Sequence, residues 1–214
     1  VKLCEYAKKN NLALHENYMF IFHNQLDYIK NIIDSQKLGS LRLIRIAFGF
    51  PFRGNNDFRY SKTLGGGALL DCGGYTLKLA SFLLGDSAKL VEHKLNYVDG
   101  FDVDIFGSGT LINDDGQVAQ ISFGMDNSYK CELEVWCSKG CLFTNRILTA
   151  PFGFEPTIEI TSNDGKNLIH LPSDDSFEKS IIHFLNCIAD ESIRNNNYDA
   201  LIKQSKIVEE FKRR

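Results

Sequence analysis

Between residues 103 and 171 the chain alternates short apolar runs with Gly-closed turns, and this pattern decides the fold class before any other feature. The runs 103–112, 117–125, 129–137, 141–144, 157–161 and 167–171 carry apolar residues with a period of two. Three of the connections are Asp114-Asp115-Gly116, Ser138-Lys139-Gly140 and Asn163-Asp164-Gly165. Connections this short join antiparallel strands, because a parallel pair needs a crossover of a dozen or more residues.

Helical periodicity flanks this meander on both sides. Phe22, Leu26, Ile29, Ile32 and Ile33 are spaced for one face of a helix over 22–36, stopped near Gly39. A short helix precedes Asn10-Asn11, residues 12–17 read as a short strand, and 41–50 as a longer one. The stretch 51–63 is polar and without period, so it is a loop, and 67–84 is apolar and helical up to Gly85. Two helices close the chain, 176–190 with Asp174, Asp175 and Glu178 at its start and 198–212, with Asn195-Asn196-Asn197 as a linker. The expected class is α+β: a mostly antiparallel open sheet with helices on one face. The other face is then solvated or covered by a partner.

Charge and composition exclude several classes of function. The 214 residues carry 24 Lys+Arg against 27 Asp+Glu, a net charge of −3, without a basic stripe interleaved with aromatics. No nucleic acid partner is expected. No apolar run reaches the roughly 18 residues of a membrane span, and the first eleven residues lack an apolar leader, so the chain reads as cytoplasmic. The six cysteines form no CxxC pair or zinc-type spacing, and they read as reduced structural thiols. His93 and His170 have no partner in reach by sequence, so no metal site is expected, and His15 and His183 read as structural. Trp136 shares a strand face with Glu132 and Glu134, as an interface residue or simply an exposed one.

The densest unusual stretch is Leu64-Gly65-Gly66-Gly67-Ala68-Leu69-Leu70-Asp71-Cys72-Gly73-Gly74-Tyr75. It is no phosphate loop, because no Gly-Lys-Ser/Thr follows and no G-x-G-x-x-G is completed. Asp71 and Tyr75 stand at i, i+4 just after three glycines that permit close approach. A carboxylate and a phenol so placed make an acid/base pair, with Lys78 three residues on. The same spacing also fits an Asp71 that caps the helix start and a Tyr75 whose hydroxyl sits at the rim of the core.

This stretch, running on to Phe82-Leu83-Leu84-Gly85, resembles the signature of the C-terminal domain in the Gfo/Idh/MocA oxidoreductase family. Glu16-Asn17-Tyr18-Met19 to Gln25 is similar to the family's domain crossover, and Phe123-Gly124-Met125-Asp126-Asn127 and Trp136-Cys137-Ser138-Lys139-Gly140 to its central strands. Arg146-Ile147-Leu148-Thr149-Ala150-Pro151 is similar to a segment of the branch that reduces keto groups on nucleotide-linked deoxysugars.

The resemblance implies a glyceraldehyde-3-phosphate dehydrogenase-like C-terminal domain over 18–214, for substrate binding and oligomerisation. Residues 1–17 would be the end of an N-terminal Rossmann domain, with the NAD or NADP site expected before Val1. It also implies Tyr75 as proton donor, Asp71 as its partner carboxylate and Arg59 as a residue facing the substrate. Two further substrate-side candidates come from the residues themselves: Lys78, on the Tyr75 face by its spacing, and His23, which follows an aromatic cluster and faces either the cleft or, as a hydrogen-bonded structural histidine, the core. Two departures stand out: Lys78 occupies a position usually held by Asp, and Ile21 and Asn24 stand where relatives often carry Arg and Pro.

The implied function is hydride transfer between a nicotinamide and a sugar or nucleotide-sugar carbonyl or alcohol, in a homo-oligomer joined through the open sheet face. The alternative is a non-catalytic oligomerisation or binding module built on the same fold.

Overall fold

The computed structural model describes residues 1–54 and 56–213; Asn55, within the loop expected over 51–63, lies outside the described residues. Helices α1 (Lys2–Lys9) and α2 (Asn24–Asp34) precede strand β1 (Leu41–Gly49), and α3 (Gly74–Leu84) follows the glycine run. Then come β2 (Lys89–Tyr97), β3 (Asp104–Ile112), β4 (Val118–Gly124), β5 (Lys130–Cys137), β6 (Gly140–Asn145), β7 (Thr157–Ser162) and β8 (Gly165–His170). Helices α4 (Ser176–Ala189) and α5 (Glu191–Lys212) end the chain.

The eight strands form one sheet in the order β2-β3-β4-β1-β5-β6-β7-β8. Each of the three Gly-closed turns joins an antiparallel pair, with Ile112 opposite Val118, Cys137 opposite Gly140 and Ser162 opposite Gly165. One pair is parallel: β1 lies between β4 and β5, parallel to β4 with Ile46 opposite Ile121 and antiparallel to β5 with Ile46 opposite Leu133. Helix α3 and strands β2 and β3 make the long crossover that a parallel pair requires.

Alternation sorts the side chains into two faces. Ile44, Ile46, Phe48, Ile121, Phe123, Leu133 and Val135 are buried in the core. Helix α3 packs on this side, and its Leu77, Leu79, Ala80, Leu83 and Leu84 are buried nearly all round, as for a helix enclosed between a sheet and a neighbouring helix. Along the opposite face run Leu43, Arg45 and Ala47 of β1 and Glu132, Glu134 and Trp136 of β5, with Arg45 and Trp136 exposed. Arg45 lies over the Trp136 ring at 4.4 Å, and its Nε donates to Gln120 Oε1 at 3.3 Å.

Three expectations are corrected. Residues 12–17 join no strand ladder; α5 holds their backbone instead, through the Tyr198 hydroxyl on Leu12 O and Asn197 Nδ2 on Leu14 O. Asn195-Asn196-Asn197 is no linker but part of α5, which begins at Glu191 with Asp190 Oδ1 accepting from the Ile193 N–H at 3.0 Å. Strand β2 is additional: it is an edge strand, and its Lys89, Glu92 and Lys94 blur the alternation. Among the described residues no helix is long and apolar enough to cross a membrane.

Candidate functional site

The glycine run builds the site by letting two backbones touch. A Cβ on Gly66 would meet Arg59 O at 2.3 Å, and the Gly67 N–H donates to that same oxygen at 2.9 Å. Gly67 has φ +123°, and a Cβ there would meet Asp104 Oδ1 at 2.4 Å. Asp104 in turn accepts from the Leu69 N–H at 2.6 Å and so holds the start of the helical segment. Segment 57–60 therefore lies flat against the glycines, and the Arg59 guanidinium reaches Asp71, with Nε on Oδ2 at 2.9 Å. Asp57 fixes the other side of the fork, taking Arg59 Nη1 at 3.2 Å and the Arg59 backbone N–H at 3.0 Å.

The helix begins with a π turn, Leu69–Gly73, before α3 proper. Such turns put an extra residue into one loop of helix and are frequent at functional sites. Asp71 and Tyr75 are not hydrogen-bonded to each other: Asp71 is bonded to Arg59, and Tyr75 turns into an aromatic cage. Tyr18 meets the Tyr75 ring edge-on at 4.8 Å and 83°, Phe20 stacks at 5.7 Å, and Phe48 lies at 5.5 Å. Burial raises the Tyr75 phenol above its ordinary pKa and the Asp71 carboxylate adds to this, while the Arg59 charge opposes it.

Tyr75 opens on a cavity of about 310 Å³ walled by Met19, Phe20, Leu148, Pro151, Phe152 and Phe177. The Arg146–Pro151 segment thus supplies one wall. Ser176 and Thr149 also border it; Ser176 is buried, and the Thr149 hydroxyl pairs with that of Tyr129 at 2.8 Å. The Tyr75 hydroxyl has no hydrogen-bond partner among the described residues. This arrangement can offer a proton to a carbonyl oxygen in an apolar enclosure beside a fixed ion pair.

Lys78 and His23 stand apart from this cavity. Lys78 pairs with Glu16 at 3.5 Å in the wall of a second cavity of about 720 Å³, lined by α3, α5, residues 15–22 and His183 of α4. Burial lowers the Lys78 pKa against the pull of Glu16, and burial raises that of Glu16 against the pull of Lys78. His23 is 1% exposed and caps α2, its Nδ1 accepting from the Gln25 N–H at 3.2 Å. Burial lowers its pKa, with Asp174 opposing and Lys179 reinforcing the shift.

Sequence reasoning missed Asp57, Tyr18, Phe152 and Phe177. The Asp-x-Arg spacing of residues 57–59 was a usable signal for Asp57. Phe152 comes from the loop after β6 and Phe177 from the first turn of α4, and only the fold brings them together.

Comparison with known proteins gives the site a context. A family model described as "GFO/IDH/MocA C-terminal domain" matches residues 26–143. The chain is 32% identical over 209 residues to dTDP-3,4-didehydro-2,6-dideoxy-alpha-D-glucose 3-reductase of Actinomadura kijaniata, covering 97% of this chain and 63% of that protein. It is 27% identical over 168 residues to D-xylose 1-dehydrogenase (NADP(+)) 2 of Haloferax volcanii, covering 76% of this chain and 49% of the other. The crystal structure of the Actinomadura kijaniata 3-ketoreductase with NADP and TDP-benzene superimposes with a TM-score of 0.93 at 31% identity, over 97% of this chain and 64% of that one. The aldose-aldose oxidoreductase of Caulobacter crescentus, at 18% identity and a TM-score of 0.76, shares the fold. The chain thus spans under two thirds of the length of these relatives. With more than half its residues matched by the family model and the glycine-run site built as described, the chain belongs to the Gfo/Idh/MocA family.

Proposed function

We propose that this chain is the substrate-side domain of an NADP(H)-dependent reductase acting on the keto group of a nucleotide-linked deoxysugar. In this reading residues 1–17 end a dinucleotide-binding domain, and 18–214 bind substrate and assemble the oligomer. The observation that carries the reading is the Tyr75 hydroxyl, unpaired among the described residues, at an apolar cavity beside the Arg59–Asp71 pair.

A pyrophosphate cradle does not fit this chain. No G-x-G-x-x-G opens a helix in it, so the dinucleotide belongs to the part of the relatives' length that the chain does not span. A bound NADPH would supply hydride. The task of this chain is the proton: Tyr75 donates its phenolic hydrogen to the carbonyl oxygen as the alcohol forms, and Asp71, held by Arg59, sets the local charge.

The apolar walls formed by Phe152 and Phe177 suit a sugar face that lacks hydroxyls. The 2,6-dideoxy sugar on dTDP in the name of the Actinomadura kijaniata reductase agrees with this. The exposed row Phe177, Ile181, Leu185 and Ile188 on α4 is further support, since a stripe of that kind is expected under a neighbouring domain. A homo-oligomer joined through the Arg45 and Trp136 face, in the cytoplasm, completes the reading.

The test is oxidation of NADPH by the full-length protein in the presence of TDP-linked 3-ketosugars. Turnover is expected, and Tyr75→Phe should lower it by roughly 10²–10⁴-fold with little change in stability. A Tyr75→Phe variant within a few-fold of the parent would remove the tyrosine from the chemistry.

A further inference from the structure

We propose that Tyr18 is a positioning residue for Tyr75, wedged against Gly74 so that the ring of the proposed proton donor keeps one orientation. The inference rests on the reading of Tyr75 given above. It starts from a contact that depends on glycine: a Cβ built on Gly74 would lie 2.2 Å from the Tyr18 hydroxyl oxygen and 3.4 Å from Tyr18 Cζ. Gly74 immediately precedes Tyr75, at the junction of the π turn and α3.

The same contact is locked from behind. Gln204 of α5, 2% exposed, donates from Nε2 to Gly74 O at 2.9 Å, and its side chain faces the Tyr18 hydroxyl. Lys78 Nζ stands 5.8 Å from the Tyr18 ring centre on the side of the larger cavity. Tyr18 is therefore held by Gly74 and Gln204, and of its two edge-on aromatic neighbours Tyr75, at 4.8 Å, lies nearer than Phe20, at 6.2 Å. Such T-shaped pairs have a preferred geometry, so a fixed Tyr18 restricts the Tyr75 ring. Burial raises the Tyr18 phenol far above its ordinary value, which keeps it neutral.

The distances define a rescue experiment in the full-length protein. Alanine favours a helix over glycine, so Gly74→Ala does not weaken α3 by propensity, and its added methyl acts through the clash with the Tyr18 hydroxyl. Gly74→Ala should lower kcat by about tenfold or more with KM changed less, as expected when a reacting group is displaced. Adding Tyr18→Phe removes the atom at 2.2 Å and leaves the ring carbon at 3.4 Å, an ordinary contact. The double variant should regain most of the lost kcat.

Crystal structures of both variants supply a readout independent of turnover. The Tyr75 ring should be turned in Gly74→Ala and restored in the double variant. An unmoved Tyr75 in Gly74→Ala, or a kcat that Tyr18→Phe fails to restore, overturns the positioning role while leaving the function reading intact. Full turnover in Tyr75→Phe overturns the function reading itself, whatever the ring does. Circular dichroism of each variant confirms that the fold is kept, and a Gly74→Ala that failed to fold and was not recovered by Tyr18→Phe would also count against the wedge.

Discussion

Arg59 and Asp71, twelve residues apart, meet through one charge-assisted hydrogen bond from Nε to Oδ2 at 2.9 Å, and this bond sets the charge that Tyr75 experiences. Asp71 pushes the phenol pKa up and Arg59 pulls it down, on top of a larger rise from burial. Asp71→Asn should therefore lower the Tyr75 pKa, and Arg59→Ala, which leaves the carboxylate uncompensated, should raise it. Tyrosinate absorbance against pH, taken as a difference from Tyr75→Phe, reads both directions; shifts of the same sign would break the assignment. Both side chains are about a quarter exposed, so their coupling in a double-mutant cycle should be near 1 kcal/mol and not the several of a fully buried pair.

The part of this arrangement that sequence could supply follows a physical divide. Periodicity and the three Gly-closed turns delivered strands β3 to β8, because alternation and turn chemistry are local. The parallel β1–β4 pair was not legible, since nothing local in 41–50 says that β1 inserts between two later strands. Asp71 and Tyr75 were found by spacing, but the π turn that separates their partners depends on Asp104, Arg59 and three glycines acting together. The i, i+3 position of Lys78 relative to Tyr75 points it toward the substrate. It turns instead to Glu16, whose carboxylate on segment 12–17 is distant in sequence.

Lys78 gives the second prediction. Because it lines a different cavity from that of Tyr75, Lys78→Met should change turnover by no more than a few-fold while weakening the fold. Glu16 would lose its partner in a half-buried place, at a cost of about 1–2 kcal/mol, less than the 3–5 kcal/mol of a fully enclosed pair because its side chain is 34% exposed. Urea denaturation together with the steady-state assay separates the two effects. A loss of turnover comparable to that of Tyr75→Phe would return Lys78 to the reaction.

On the open sheet face, Arg45 bridges Gln120, Glu134 and the Trp136 ring, tying three adjacent strands into one semi-polar patch. If that face joins subunits, Trp136→Glu places a desolvated charge at the contact and should shift the protein to monomer, while Leu168→Glu at the far edge strand should do so less. Sedimentation velocity at micromolar concentration distinguishes them. An oligomer untouched by Trp136→Glu would move the interface elsewhere.

His23 carries the last prediction, on pH. Its Nδ1 accepts the Gln25 N–H, so in the neutral ring the proton sits on Nε2, a buried atom without a hydrogen-bond partner among the described residues. Protonation would put a hydrogen on Nδ1 facing another donor and abolish the cap of α2. Burial lowers the folded pKa below the ordinary value near 6.5, despite Asp174 nearby. A group depressed in the folded state contributes stability that is fully present above its unfolded pKa and is lost as pH falls through the folded value. Stability should therefore decline on acidification below about pH 6.5, with the His15 ring, also lowered by burial, contributing in the same direction. His23→Asn keeps a capping oxygen for the Gln25 N–H but cannot titrate, so it should cost little at neutral pH and flatten the decline. His23→Ala removes the cap at every pH and should cost about 1 kcal/mol throughout. Urea midpoints of the three proteins across this range decide the matter: an unchanged slope in His23→Asn would assign the acid sensitivity to His15 or to another group.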